Sequence, residues 1–281
     1  MTQDNKFILA PAKLNIFLKV LGRRDDGFHI IRSGINFINL FDKLYIKQSD
    51  QMKIEYNGPF KPAENVYKDC IISKTLKYLN LDTNIYFNIS ITKNIPVQGG
   101  LGSASTNAAA LIKWLEKNKY IKKKDPKDYV FLGSDIPCFL FQKNCISMGT
   151  GEILQHHIFP KYYFLIVKPN FTNSTKEMYK KLGFKVNSYN ENIFSKLLDV
   201  NDEDYGNDFE KIVLREKENF NEILEFLESL DHSIFARMTG TGSCCYAVFE
   251  TKDHAKRAQE LFKLKFKNLW SYLCENNTIN D

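Results

Sequence analysis

Ile85-Tyr86-Phe87-Asn88-Ile89-Ser90-Ile91-Thr92 leads through Pro96-Val97-Gln98-Gly99-Gly100-Leu101-Gly102-Ser103-Ala104-Ser105 into an alanine-rich run that ends at Lys117. The first segment alternates apolar and polar residues, the period of a half-buried strand. The last, Ala104 to Lys117, is rich in helix formers. The order is therefore strand, glycine loop, helix. A glycine cluster that opens a helix can turn several backbone N–H groups onto one anion, and the helix N-terminus adds partial positive charge. Small residues at Ser103, Ala104 and Ser105 let a polyphosphate approach closely. A lone glycine loop is as often a plain turn before a helix, so the neighbouring segments must decide.

Upstream, Phe7 to Leu21 reads as a strand, with Leu14, Ile16, Leu18 and Val20 on one face. It carries Ala10-Pro11-Ala12-Lys13-Leu14-Asn15. A lysine inside an apolar strand carries a desolvation cost unless it is paired. Gly22 to Gly27 is a polar turn, followed by Phe28-His29. Ile35–Phe41, Lys43–Lys47 and Met52–Tyr56 read as three further strands. Asn65 caps a helix that carries Val66, Cys70, Leu76 and Leu79.

Downstream, a basic connector at Lys122–Lys124 precedes Gly133-Ser134-Asp135-Ile136-Pro137. Asp135 reads equally as a helix N-cap and as a catalytic carboxylate. A strand lies near Ile146, and Gly149–Gly151 is a turn. Tyr162–Val167 is a buried strand. Thr175–Leu182, Asp208–Lys217, Phe220–Leu230 and Asp253–Phe266 have helical spacing. Thr239-Gly240-Thr241-Gly242-Ser243 is a second glycine turn, entering a strand over Ser243–Phe249. Strands and helices mix without strict βαβ repetition, which predicts an α+β fold. The domain boundary is placed near Phe159–Lys161.

The 281 residues are 43% hydrophobic and 26% charged, a globular composition that excludes general disorder. The net charge of +6 is mildly basic, short of a dedicated nucleic-acid binder and suited to modest anions. Apolar runs are too short to span a bilayer, and the N-terminus shows neither a signal nor a transit pattern. The six cysteines form no C-x-x-C pair, so reduced thiols are expected rather than a disulfide framework or zinc site. No Walker loop, dinucleotide G-x-G-x-x-G, H-R-D, D-F-G or H-E-x-x-H occurs.

Taken in order, the strand lysine, the Pro-x-x-x-Gly-Leu-Gly-Ser loop, the Gly-x-Asp-x-Pro segment and the late Gly-Thr-Gly-Ser turn resemble the GHMP kinase superfamily of small-molecule kinases. Asp26-Gly27-Phe28-His29, Gly133 to Phe139 and Gly206-Asn207-Asp208-Phe209-Glu210 resemble one branch, whose acceptor is a cytidine diphosphate ester of a sugar alcohol. The resemblance spans essentially the whole chain. Two details depart from that branch: relatives more often have further glycines and a serine pair in the loop, and Tyr where this chain has Phe28.

The resemblance implies a two-domain fold, with an N-terminal domain over 1–159, a C-terminal domain over 160–281, and the active site in the cleft between them. It implies transfer of the γ-phosphoryl of ATP to an acceptor hydroxyl, with Mg²⁺ accompanying ATP on unassigned ligands. Asp135 is then the general base, and Lys13 holds it ionised and stabilises charge on the acceptor oxygen. Pro96, Gly99, Gly100, Leu101, Gly102, Ser103, Ala104 and Ser105 cradle ATP, joined by Gly240, Thr241 and Gly242. Asn15 orients the acceptor or Lys13. Phe28, His29 and Tyr179 serve the cytosine, and Thr175 sits near the acceptor's phosphates. The implied setting is cytoplasmic, a monomer or homodimer acting on a small molecule, with neither nucleic acid nor membrane as partner. Two alternatives stay open: a mevalonate or homoserine kinase of the same superfamily, which would not need Asp26–His29, and a nucleic-acid-binding module drawing on the charge and Lys122–Lys124.

Overall fold

The computed structural model describes residues 7–63, 69–81, 85–185 and 206–277. Asn65 and Val66, read above as a cap and helix start, lie outside them. The chain forms two compact units that interleave along the sequence. The first takes Met1–Ala12, Leu40–Val97 and Gly102–Gln142; the second takes Lys13–Asn39, Gln98–Leu101 and Lys143–Asp281.

Two long strands run through both sets of residues, β1 (Ile8–Arg23) and β2 (His29–Ser49). The sequence reading broke the second into Ile35–Phe41 and Lys43–Lys47 at a polar residue. The strand instead continues through Asp42, whose fully buried carboxylate is satisfied by a lysine and by backbone N–H groups. A paired charge does not end a strand.

In the first unit, the end of β2 pairs antiparallel with β4 (Tyr86–Thr92), from Lys43 opposite Thr92 to Ser49 opposite Tyr86. β3 (Lys53–Asn57) lies parallel to β4, so α1 (Ile71–Tyr78) belongs to a β-α-β crossover. The alternation of β4 is kept: Phe87, Ile89 and Ile91 are fully buried. They pack with Leu44 and Ile46 of β2, Ile72 and Leu76 of α1, and Leu111 and Leu115 of α2 (Ser103–Lys117). A 3₁₀ helix at Pro126–Leu132, absent from the sequence reading, leads to the short α3 (Ile136–Phe141).

In the second unit, the start of β2 pairs antiparallel with β5 (Cys145–Gly149), and β5 with β6 (Ile153–His156). A separate antiparallel sheet is built from β7 (Tyr163–Lys168), β8 (Ala236–Met238), β9 (Cys245–Phe249) and β10 (Trp270–Glu275). Its four strands lie in the order β10-β7-β9-β8. The sequence reading named neither β8, only three residues long, nor β10, which is half-buried along most of its length. One sheet face, with Leu165, Val167, Ala247 and Phe249, packs on α6 (Glu218–Ser229) through Phe220, Ile223, Leu224 and Leu227. Ala255, Ala258 and Phe262 of α7 (Lys252–Lys265) join the same core. The remaining helices are α4 (Thr175–Lys181) and α5 (Glu210–Glu216). All six cysteines are free thiols, five of them buried. No helix among the described residues is long and apolar enough to cross a membrane.

Candidate active site

Lys13 is buried on β1, 3% exposed, and its ammonium donates to Asn15 Oδ1. The orientation of that amide follows from its partners. Ser33 Oγ gives its proton to the Phe17 carbonyl at 2.7 Å, so it must accept from Asn15 Nδ2, also at 2.7 Å. Oδ1 is thereby turned to Lys13. The Asn15 backbone is held too: its N–H donates to Thr239 Oγ1 at 3.0 Å, and its carbonyl accepts from the buried Tyr246 hydroxyl at 2.9 Å. Asn15 is thus held through both its side chain and its backbone, with its amide oxygen on the Lys13 ammonium.

The glycine loop and the late glycine turn meet within the second unit. The Lys13 N–H donates to the Leu101 carbonyl at 3.1 Å, Ser243 N–H to Gln98 O at 3.4 Å and Cys244 N–H to Gly99 O at 3.2 Å. The approach is so close that a Cβ on Gly100 would lie 2.0 Å from the Thr239 carbonyl oxygen, and one on Gly240 would lie 3.0 Å from Gly100 Cα. Gly100, Gly102, Gly240 and Gly242 all have positive φ, as does Gln98. Thr239 Oγ1 lies within donating reach of Asn15 Oδ1 (3.3 Å) and Gly100 O (3.4 Å), and its single proton serves one at a time. Thr241 extends the turn to α4: its carbonyl accepts from Asn173 Nδ2 at 2.9 Å, and its hydroxyl lies 3.2 Å from that of Thr175.

In the first unit, α2 begins from left-handed Gly102, and no side chain accepts a hydrogen bond at that N-cap. Ala104 is exposed and Ser105 half-buried, whereas Pro96 and Ser103 are buried. Ser103 Oγ turns inward and accepts from the Lys93 ammonium at 2.6 Å. That ammonium also donates to the Ser103 carbonyl (3.1 Å), Asn107 Oδ1 (2.7 Å) and Asp42 Oδ2. Burial pushes the Lys93 pKa down, and Asp42 opposes that shift. Asp42 Oδ1 accepts from the N–H groups of Asn94 and Ile95 at 2.7 and 2.9 Å. The start of the helix is thus pinned by an ion pair the sequence reading missed. Its signal was a lysine at the end of an apolar strand, two residues before Ile95-Pro96.

Asp135 belongs to the first unit and stands at the N-cap position of α3, yet its side chain makes no capping bond. The cap reading is therefore not the one realised. The segment sits beside the start of α2: a Cβ on Gly133 would lie 3.5 Å from Ser105 Oγ.

In the second unit, His29 and Tyr179 are brought together, with ring centroids 4.6 Å apart and planes 35° from parallel. Tyr179 also meets Phe209 edge-on at 4.8 Å. Burial, aided by Arg23, lowers the His29 pKa and favours the neutral ring. Phe28 is 38% exposed at the end of the polar turn, and Thr175 is exposed at the start of α4. Among the described residues no three His, Cys, Asp or Glu side chains cluster as a metal site.

A family model for the GHMP kinases N terminal domain matches residues 67–142, and one for the GHMP kinases C terminal domain matches 190–268. A 4-diphosphocytidyl-2-C-methyl-D-erythritol kinase of Pelagibacter ubique is 35% identical over 276 residues, covering 94% of this chain and 96% of its own. The enzyme of the same name from Haemophilus ducreyi is 29% identical over 98% of this chain and 96% of its own. A crystal structure of 4-(cytidine 5'-diphospho)-2C-methyl-D-erythritol kinase superposes with a TM-score of 0.72 at 25% identity, over 97% of this chain and 100% of that one.

Proposed function

Because the chain belongs to the 4-diphosphocytidyl-2-C-methyl-D-erythritol kinase family of the GHMP kinases, we propose that Lys13 and Asp135 carry its chemistry and that its two glycine turns hold ATP. It is an ATP-dependent kinase acting on the 2-hydroxyl of 4-diphosphocytidyl-2-C-methyl-D-erythritol, in non-mevalonate isoprenoid precursor synthesis. The observation that carries the residue assignment is the double tie at Lys13. Its side chain is aimed by Asn15 while its backbone N–H holds Leu101 of the glycine loop. One residue thus links the buried cation to the phosphate-binding segment.

Phosphoryl transfer asks mainly for alignment and charge neutralisation. In this reading the free first-turn N–H groups of α2, with Gly99, Gly100, Leu101 and Gly102, take the phosphates of ATP. Gly240, Thr241 and Gly242 complete the cradle. Asp135 accepts the proton of the acceptor hydroxyl. Lys13 stabilises negative charge as the new P–O bond forms. Asn15 keeps the ammonium on target. Mg²⁺ bound with ATP would supply neutralisation of phosphate charge, and a cation held largely through phosphates would need few protein carboxylates. The cytosine lies against Phe28, His29 and Tyr179, with the neutral imidazole offering one donor and one acceptor. Thr175 takes the acceptor's diphosphate.

We place the boundary between the family's two domains at 159/160, with one family model on either side of it, although the compact units of the fold are divided differently. The protein works in the cytoplasm as a monomer or homodimer, on a small molecule and without nucleic acid or membrane. A coupled assay of ADP formation, with and without the cytidyl acceptor, tests the function. Mevalonate and homoserine serve as competing acceptors, and equal turnover on either would overturn the acceptor assignment.

A further inference from the structure

Gly206-Asn207-Asp208-Phe209-Glu210 marks the family branch in the sequence but has no role in the chemistry above. The structure gives it one. Asn207 is 3% exposed and all of its amide is used. Oδ1 accepts from the Phe209 N–H at 3.0 Å, which fixes the amide orientation. Nδ2 then donates both protons, one to the Met238 carbonyl at 2.8 Å and one to the Gly240 carbonyl at 2.9 Å. Those carbonyls bracket the entry to the late glycine turn. The next carboxylate but one along the chain holds the same place: Glu210 Oε2 accepts from the Met238 N–H at 2.6 Å.

The segment is itself anchored on β1. Leu18 N–H donates to Gly206 O, Asp208 N–H returns to Leu18 O, both at 3.0 Å, and Val20 N–H donates to Asp208 Oδ2 at 2.8 Å. So Asn207 connects the strand that carries Lys13 and Asn15 to the turn that packs on Gly99–Leu101. Turn carbonyls without a donor would be free to rotate, and Gly240 has no side chain to resist that.

We propose that Asn207 is a positioning residue for ATP: its two donated bonds set the peptide planes of the Met238–Gly240 entry, and thereby the turn's fit against the glycine loop. The proposal rests on the reading that these turns hold ATP. The Asn207 amide and Glu210 Oε2 are both committed to backbone groups of this region.

The test is calorimetric titration with ATP, together with steady-state kinetics, well below each variant's melting temperature. Asn207→Ser removes the double donor and is expected to weaken ATP binding by roughly tenfold, the scale of one or two hydrogen bonds, with the acceptor KM changed by less than about threefold. Asn207→Asp keeps the volume and the bond from Phe209 but points an oxygen at two carbonyls. It carries the test if the serine variant does not fold. Its ATP affinity should be weaker at about pH 8 and partly recover near pH 5, where a protonated carboxyl can donate one bond. The parent, whose buried Glu210 on the same turn also titrates, is the baseline, and the aspartate variant should show the larger change between the two pH values. A structural role alone would lower the melting temperature and leave the ATP affinity of folded protein, and its pH dependence, unchanged; that result overturns the proposal. If the parent itself binds no ATP, the assignment of the turns falls and this inference falls with it. Tight ATP binding by the parent and by both variants removes only the role of Asn207.

Discussion

Lys93 and Asp42 form an ion pair sealed from solvent, 3% and 0% exposed, directly beneath the first residue of α2. Both ions are dense with partners, so each depends on the other to justify its burial. Removing one member of such a pair leaves an uncompensated charge and typically costs about 3–5 kcal/mol. Asp42→Asn is therefore expected to destabilise the protein on that scale in denaturant unfolding. Adding Lys93→Met to it should recover part of the loss. A double variant as unstable as the sum of the two singles would mean that the charges are not coupled.

Asp135→Asn should leave ATP affinity and melting temperature nearly unchanged and lower turnover by roughly 10²–10⁴-fold, the range for a lost general base. Its side chain makes no capping bond to α3, so no helix cap is lost with the carboxylate. Steady-state kinetics with the cytidyl acceptor decide it. Turnover within a few-fold of the parent would end the assignment.

Gly100→Ala meets two obstacles. Its φ of +75° is costly for any residue with a Cβ, and that Cβ would fall 2.0 Å from the Thr239 carbonyl oxygen. The two turns must part to admit it. We expect ATP binding to drop by more than about tenfold with a lower melting temperature. Nucleotide titration and thermal unfolding on the same sample check both. Normal ATP affinity would mean that the contact between the turns is dispensable to the site.

Glu210 supplies a pH signature. Burial raises its pKa above the ordinary glutamate value, against the pull of the Met238 N–H and Arg237. A carboxyl that holds its proton more tightly when folded stabilises the protein below its unfolded pKa, near 4.5. That contribution is lost as pH rises through the raised folded value. Glu210→Gln removes the ionisation. The melting temperature of this variant, relative to the parent, should therefore climb from about pH 4.5 and then level off. A flat difference across that window would place the charge in solvent.

The alternating strand at Phe87–Ile91 and the helix after Gly102 were legible because local pattern and tertiary role agree there. The same holds for the late turn, where Gly240 and Gly242 need positive φ. What was not legible depended on partners remote in sequence. Nothing near Asp42 shows that Lys93 lies 51 residues on, so a buried aspartate read as a strand break. Nothing near Asn207 shows that the Met238 and Gly240 carbonyls need donors. Ser103, read as a phosphate contact, has its hydroxyl drawn inward by the same unseen lysine.

The two aromatics proposed for the cytosine should separate under substitution. Phe28 is 38% exposed at the end of a turn, more open to solvent than His29 or Tyr179. Tyr179 touches His29 on one side and meets the buried Phe209 edge-on on the other. Stacking of a base on an aromatic is worth about 1–3 kcal/mol. Phe28→Ala should therefore raise the acceptor KM by roughly tenfold or more, with the ATP KM and melting temperature held. Tyr179→Ala should raise the acceptor KM similarly and also lower the melting temperature, because the edge contact to Phe209 is lost with the ring. Tyr179→Phe keeps both ring contacts and should restore stability and most of the acceptor affinity. Measuring both KM values and the melting temperature on all three variants separates stacking from packing. If Phe28→Ala leaves the ratio of acceptor to ATP KM unchanged, the cytosine does not rest on Phe28, and the search for its aromatic partner narrows to His29 and Tyr179.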